Sequence, residues 1–219
     1  MTRPRAIRGD DLRRALAQEA ARLMFEHGVD DYGFAKRKAA ERLGAGEYAV
    51  LPKNSEIDAA LAEYQRLFAH DTHAETLAEQ RRAALDAMQL LAEFEPRLVG
   101  PVLTGTATPH QEISLHLFSD SAEAVSLKLL EDRIQFRVAE HRVKMNSDRV
   151  LQVPAIQFSV FDHPVDATVF PRDGIRQSPL SPSDGRPMRR AALGEVQALV
   201  EQSPEPAEFE VARPDSRQR

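Results

Sequence analysis

The sequence predicts an α+β protein: an N-terminal helical region followed by a mixed β-sheet with flanking helices. Two observations predict it. Up to residue 95, apolar side chains recur at three- and four-residue intervals, which gathers them on one face of a helix. Beyond Pro96 the repeat shortens to two, the period of strands with one buried face. With 219 residues, 42% of them hydrophobic, the chain can build one sizeable core, or a core plus a small helical subdomain.

Each element has its own local signals. Asp10 and Asp11 can cap a first helix whose apolar positions are Leu12, Leu16, Ala20, Leu23 and Met24, with Gly28 as its stop. Residues 34–43 form a short, basic, helix-prone stretch ending at Gly44. Asn54 or Ser55 can cap a third helix carrying Ile57, Leu61, Tyr64 and Phe68 on one stripe. A fourth helix spans about 72–94, with Leu77, Leu85, Met88 and Leu91 on its apolar side. Glu95-Pro96 ends it, because a residue before proline avoids the α region.

Strands follow over 97–103 and 112–118. A helix then starts at Asp120 or Ser121 and holds Val125, Leu127, Leu129 and Leu130. Ile134, Phe136 and Val138 alternate with polar residues, and 155–161 and 165–170 are two more strands. Gly and Pro make 171–187 a loop, and 191–200 close the fold as a helix. The division is therefore a helical region over 1–95, an α+β domain over 96–202 and a flexible tail over 203–219.

Composition narrows the function classes. The formal net charge of −5 gives no global attraction to nucleic acid or anionic membrane. The absence of cysteine excludes disulfides, thiolate zinc sites and cysteine nucleophiles, and fits a cytoplasmic chain. No apolar run approaches the ~20 residues of a membrane span, and the basic N-terminus lacks the apolar segment of a signal peptide. Neither a Gly-x4-Gly-Lys-Ser/Thr loop nor a Gly-x-Gly-x-x-Gly or Gly-x-Ser-x-Gly motif is present. Lys36-Arg37-Lys38 offers a contact for nucleic acid, but a charge run on a helix reads first as its solvated face.

The chemistry concentrates between residues 98 and 118. On the strand 112–118, Glu112, Ser114 and His116 share one face, while Ile113, Leu115 and Leu117 face a core. Carboxylates at i and i+2 on a strand can share metal ions, and a nearby glycine lets the backbone approach phosphates. Gly100 and Gly105 bracket the preceding connection, and Asp166 on a later strand can add a ligand. The same polar set also fits the solvated face of an amphipathic strand. In the loop after the last strand, Arg172, Arg176, Arg186, Arg189 and Arg190 carry forks that match phosphate geometry.

Over roughly residues 97–170 the chain resembles the nucleotidyltransferase superfamily of polymerase-beta-like and minimal nucleotidyltransferases. Gly100 and Gly105 match its glycines, Glu112-Ile113-Ser114 falls at its Asp-hydrophobic-Asp position, and Asp166 suits its third acid. The layout also resembles small bacterial chains that carry this domain behind a helical N-terminus. The resemblance implies transfer of a nucleoside monophosphate from an NTP to an unknown acceptor. Mg²⁺ would be held by Glu112 and Asp166, with Ser114 or His116 filling the remaining position. Gly100, Gly105 and Thr104 would shape the phosphate loop, and Arg172 or Arg176 would steady the triphosphate. Two residues depart from the pattern. Pro101 replaces a serine, and Ser114 replaces the second carboxylate, which binds Mg²⁺ far more strongly than a hydroxyl does. These departures allow an alternative: a catalytically degenerate fold that binds a nucleotide, RNA or protein.

Overall fold

A computed structural model describes residues 9–29, 31–46, 49–68 and 70–203, without the side chains of residues 68, 70 and 71. Within those residues the chain is α+β, with seven α-helices and one five-stranded mixed sheet. The side chain at position 68 of the predicted apolar stripe is not described, and the tail beyond residue 203 lies outside the described residues.

Three helices come first: α1 (Gly9–His27), α2 (Tyr32–Arg42) and α3 (Asn54–Phe68). Asp10 and Asp11 occupy the first turn of α1 rather than capping it, where their charge suits the helix dipole. Gly28 ends α1 at a φ of 63°, in the left-handed region that glycine enters freely. Asp31 caps α2 by accepting from the Phe34 amide. The three helices share a core of Leu16, Ala20, Leu23, Ala35, Ala39, Ile57 and Leu61.

The fourth helix, α4 (His70–Leu90), packs elsewhere. Ala84, Ala87 and Met88 enter the core beneath the sheet. It stops four residues short of the predicted end, and a 3₁₀ turn over Ala92–Phe94 follows. The sheet contains β1 (Arg97–Val99), β2 (Ile113–Phe118), β3 (Phe136–Lys144), β4 (Val150–Val160) and β5 (His163–Phe170), in the order β1-β2-β5-β4-β3. Only β2 and β5 pair in parallel.

The predicted strand 97–103 is cut short. Gly100 takes a φ of 72° and the chain turns into a five-residue helix, α5 (Gly100–Thr104). Pro101 stands in its first turn, where the amide hydrogen it lacks would have no intrahelical partner. The helix α6 (Ala122–Glu131) begins at its cap, Ser121, whose hydroxyl accepts from the Ala124 amide. β3 starts later than expected and β4 runs longer. Their antiparallel pairing over all nine residues of β3 overrides the local pattern. The predicted loop 171–187 contains a 3₁₀ turn over Arg172–Arg176, and α7 (Leu193–Glu201) closes the fold.

One face of β2 and β5 presents Ile113, Leu115, Leu117, Val165, Ala167 and Val169 to α4 and α6, all within a single core. The other face carries the polar residues. No helix among the described residues is long and apolar enough to cross a membrane.

Candidate functional site

The polar face is organised by register. Ser114 stands opposite Asp166, and His116 opposite Thr168, on the parallel pair β2–β5. Val99 on β1 stands opposite Ser114 on the other side, so the turn at Gly100 begins directly beside that serine. A Cβ added to Gly100 would sit 3.6 Å from the Ser114 hydroxyl oxygen. The glycine-bounded turn, the serine and the acid thus meet, as the sequence spacing suggested.

Asp166 has a partner that the spacing did not suggest. Its Oδ2 is 2.6 Å from Nε2 of His141, and its Oδ1 is buried without a hydrogen-bond partner. Asp166 is level with Arg137 of β3, across Gln157 of β4, so His141 lies two strands and four residues away. In a flat sheet, two spacings of about 4.8 Å and four rises of about 3.3 Å would separate their Cα atoms by about 16 Å. Two side chains cannot bridge that distance. The sheet must curl, which makes its polar face concave.

A cavity of about 810 Å³ occupies this concavity, lined by Ser114, His116, His141, Asp166 and Thr168. Arg142 and Lys144 of the edge strand also line it. Its remaining wall is a strap, residues 177–190, which supplies Leu180, Ser181, Pro182 and Met188. A second cavity of about 360 Å³ shares Ser114, Ser181, Pro182 and Met188 with the first. Gly100, Pro101, Thr104 and Thr106 line its far side, and Met24, Tyr32, Asp58 and Leu61 close it from the N-terminal helices.

The strap is anchored at both ends and in the middle. The Leu180 amide donates to the Lys144 carbonyl, and the Asn54 side-chain amide donates to the Pro182 carbonyl at 2.7 Å. Asp58 accepts from Ser183 and from the Tyr32 hydroxyl, the latter at 2.5 Å. Burial, reinforced by the Asp58 carboxylate, pushes the Tyr32 hydroxyl well above its ordinary pKa.

Arg190 holds the strap's end. Its Nε donates to Nδ1 of His116 at 3.0 Å, and its Nη1 donates to the carbonyls of Gly174 and Ile175. The guanidinium lies over the rings of Phe118 and Phe170, at 4.9 and 5.3 Å from their centroids. Burial, then repulsion from Arg97, brings Arg190 down to about 10. Burial, then the Arg190 charge, brings His116 down to about 3, so this imidazole is neutral. Because Nδ1 accepts from Arg190, the proton resides on Nε2, and neither nitrogen has a lone pair left for a metal.

The other predicted site residues are spread around this centre. Glu112 is exposed just before β2 and lines a separate depression with Arg137 and Gln157. Gly105 sits at the far end of α5, where its carbonyl is 3.0 Å from Nε2 of His73. The Thr104 hydroxyl pairs with that of Thr106 at the second cavity. Arg172 is exposed: its amide donates to Asp120, and its guanidinium is 4.0 Å from the same carboxylate. Arg176 is exposed at the end of its 3₁₀ turn. Within the basic run 36–38, Lys36 bonds Asn54 and Lys38 pairs with Glu41.

The donor set does not fit a pair of carboxylate-bridged metal ions. Among the described residues, Asp166 is the single carboxylate lining the larger cavity, and His141 engages one of its oxygens. At the smaller cavity, Asp58 accepts from Tyr32 and Ser183, and Asp184 accepts from the Arg186 amide. Among the described residues, no group of three or more His, Asp or Glu side chains is placed to hold a metal ion.

Arg190 was visible in the sequence only as one of five loop arginines. His141 carried no local signal, since a polar residue at its position satisfies strand alternation. No family model, curated protein or solved structure matches the chain.

Proposed function

We propose that the chain is a divergent nucleotidyltransferase-like protein. It seats an NTP across the two joined cavities and transfers the nucleoside monophosphate to an acceptor. The observation that carries this reading is the placement of Ser114 and Asp166. They stand in register on parallel strands, with the positive-φ turn at Gly100 against the serine. That turn exposes backbone where phosphate oxygens can approach. His141, Arg142 and Lys144 bring donors and positive charge to the larger cavity. Among the described residues a divalent ion has one carboxylate, Asp166, to bind in the larger cavity, so we assign nucleotide affinity to the chain's own donors.

A second reading, binding without chemistry, is favoured by Ser114 itself, which puts a hydroxyl where a second carboxylate would bridge metals. Titration calorimetry of the four NTPs, with and without Mg²⁺ or Mn²⁺, tests the site, and release of pyrophosphate separates the two readings. Binding by the wild type that Ser114→Phe abolishes supports the site, because the larger ring fills the wall common to both cavities. Failure of the wild type to bind any NTP sinks both nucleotide readings and directs attention to macromolecular partners.

A further inference from the structure

We propose that His141, held by Asp166, takes the proton from the hydroxyl group or water that attacks the α-phosphorus of the bound nucleotide. The role rests on the nucleotide reading above, but the argument for it is geometric. An ionised carboxylate is an acceptor only, so the 2.6 Å contact with Asp166 Oδ2 places the imidazole proton on Nε2. The Nδ1 lone pair is then free. His141 lines the cavity, its side chain is 32% exposed, and Nδ1 makes no hydrogen bond among the described residues. Asp166 fixes both the tautomer and the ring direction, and stabilises the imidazolium that forms when Nδ1 takes a proton.

The other cavity groups are unsuited to this task. His116 is buried, and its Nδ1 accepts from Arg190. The Arg142 guanidinium and the Lys144 ammonium are donors without an acceptor site, and the hydroxyls of Ser114, Ser181 and Thr168 are weak bases. A carboxylate pair bridging two metals would activate the attacking hydroxyl directly, and the described residues that line the larger cavity include one carboxylate, Asp166. The dyad supplies a proton acceptor at the same place on the sheet, because Asp166 is the register partner of Ser114 beside the Gly100 turn.

The step balances without a further reactant. The attacking O–H bond breaks and its proton passes to Nδ1. The oxygen forms a bond to the α-phosphorus, and the bond from that phosphorus to the bridging oxygen breaks. Pyrophosphate leaves with the electron pair, and the imidazolium then returns its proton to the leaving group or to water. His141 is the catalytic residue in this scheme, and Asp166 is a positioning residue.

The test uses the full chain with ¹⁵N-labelled histidine. Two-bond ¹H–¹⁵N spectra report each ring's tautomer, and the resonance lost in His141→Gln identifies His141. The expected wild-type state is the Nε2–H tautomer. In Asp166→Asn it should become a mixture, while His116 keeps its own state through Arg190. Pyrophosphate release, with water or glycerol as acceptor and with or without Mg²⁺, supplies the second readout. His141→Gln should lower kcat by about 100-fold or more, with KM little changed. A Nδ1–H tautomer at His141, or equal turnover in His141→Gln, would overturn the proposal. So would absence of pyrophosphate release from a nucleotide that calorimetry shows to bind. If calorimetry finds no nucleotide binding, the nucleotide reading itself falls and takes this role with it.

Discussion

On β2 and β5, odd-numbered and even-numbered residues occupy different surroundings. Ile113, Leu115 and Leu117, with Val165, Ala167 and Val169, are at most 3% exposed and pack into one core with α4 and α6. Ser114, His116, Asp166 and Thr168 face a cavity. Their partners come from distant parts of the chain: Arg190 lies 74 residues from His116, and His141 lies 25 from Asp166. Burial of apolar surface is non-directional, so the odd face tolerates any arrangement that fills its volume. Hydrogen bonds are directional, so the even face depends on register, curl and the placement of the strap.

The sharpest way to break this comparison is to truncate neighbouring residues on opposite faces. Leu115→Ala, at a position with no exposure, is expected to cost about 2–5 kcal/mol. Ser114→Ala, one residue away, should change stability by about 0.5 kcal/mol or less. Urea unfolding of the two variants measures both. Equal losses would mean that the polar face carries stability as well as a site.

Arg190→Ala comes next in size. It leaves the buried Nδ1 of His116 without a donor and frees the Gly174 and Ile175 carbonyls. The expected cost is about 1–3 kcal/mol. Amide exchange should quicken across the strap and remain slow in α4 and β2. Unchanged exchange in the strap would show that the bonds to Asn54 and Asp58 hold it without Arg190.

The pH dependence of stability gives a finer probe of the same contact. The unfolded His116 imidazole takes a proton near 6.5, whereas the folded one does so only near 3. Between those values the unfolded chain binds more protons. The contribution is therefore complete above pH 6.5 and is lost as pH falls toward 3, by up to about 1.4 kcal/mol per pH unit. His116→Asn keeps an acceptor for Arg190 and removes the titration. Its stability should fall less steeply between pH 6 and 4 than that of the wild type. Glu19, held low chiefly by Arg22, weakens both proteins alike in acid, so the difference belongs to His116. Parallel curves would show that His116 accepts its proton without penalty.

This contrast between faces also explains what the sequence disclosed. Leu115 and Leu117 were legible as core because alternation alone assigns a face. Ser114 and Gly100 were legible as neighbours because a single turn joins their strands, whereas Asp166 was legible only as an acid on a later strand able to add a ligand. The bend at Gly100 was hidden, since a φ of 72° in glycine leaves no mark on the apolar pattern around it. His141 was hidden for a longer-range reason. Its contact with Asp166 depends on the pairing of three strands and on the curl of the sheet, and neither is encoded near residue 141. Arg190 differs from Arg172 only in what folds over it: Phe118, Phe170 and His116 surround one, while solvent surrounds the other.

The smallest expected effect tests that last distinction. Arg172 is 77% exposed, and its partner Asp120 is 74% exposed. A pair so solvated contributes about 0–1 kcal/mol, and at a contact of 4.0 Å the lower end applies. Arg172→Ala should therefore leave urea stability unchanged within error. The residue does not line either cavity, so NTP affinity measured by calorimetry should also hold within about twofold, or about 0.4 kcal/mol. A tenfold loss of affinity with stability intact would mean that the 3₁₀ turn at Arg172–Arg176 swings over the bound nucleotide. The loop arginines would then serve the triphosphate directly, as their forks first suggested, and the even face of the sheet would be only half of the site.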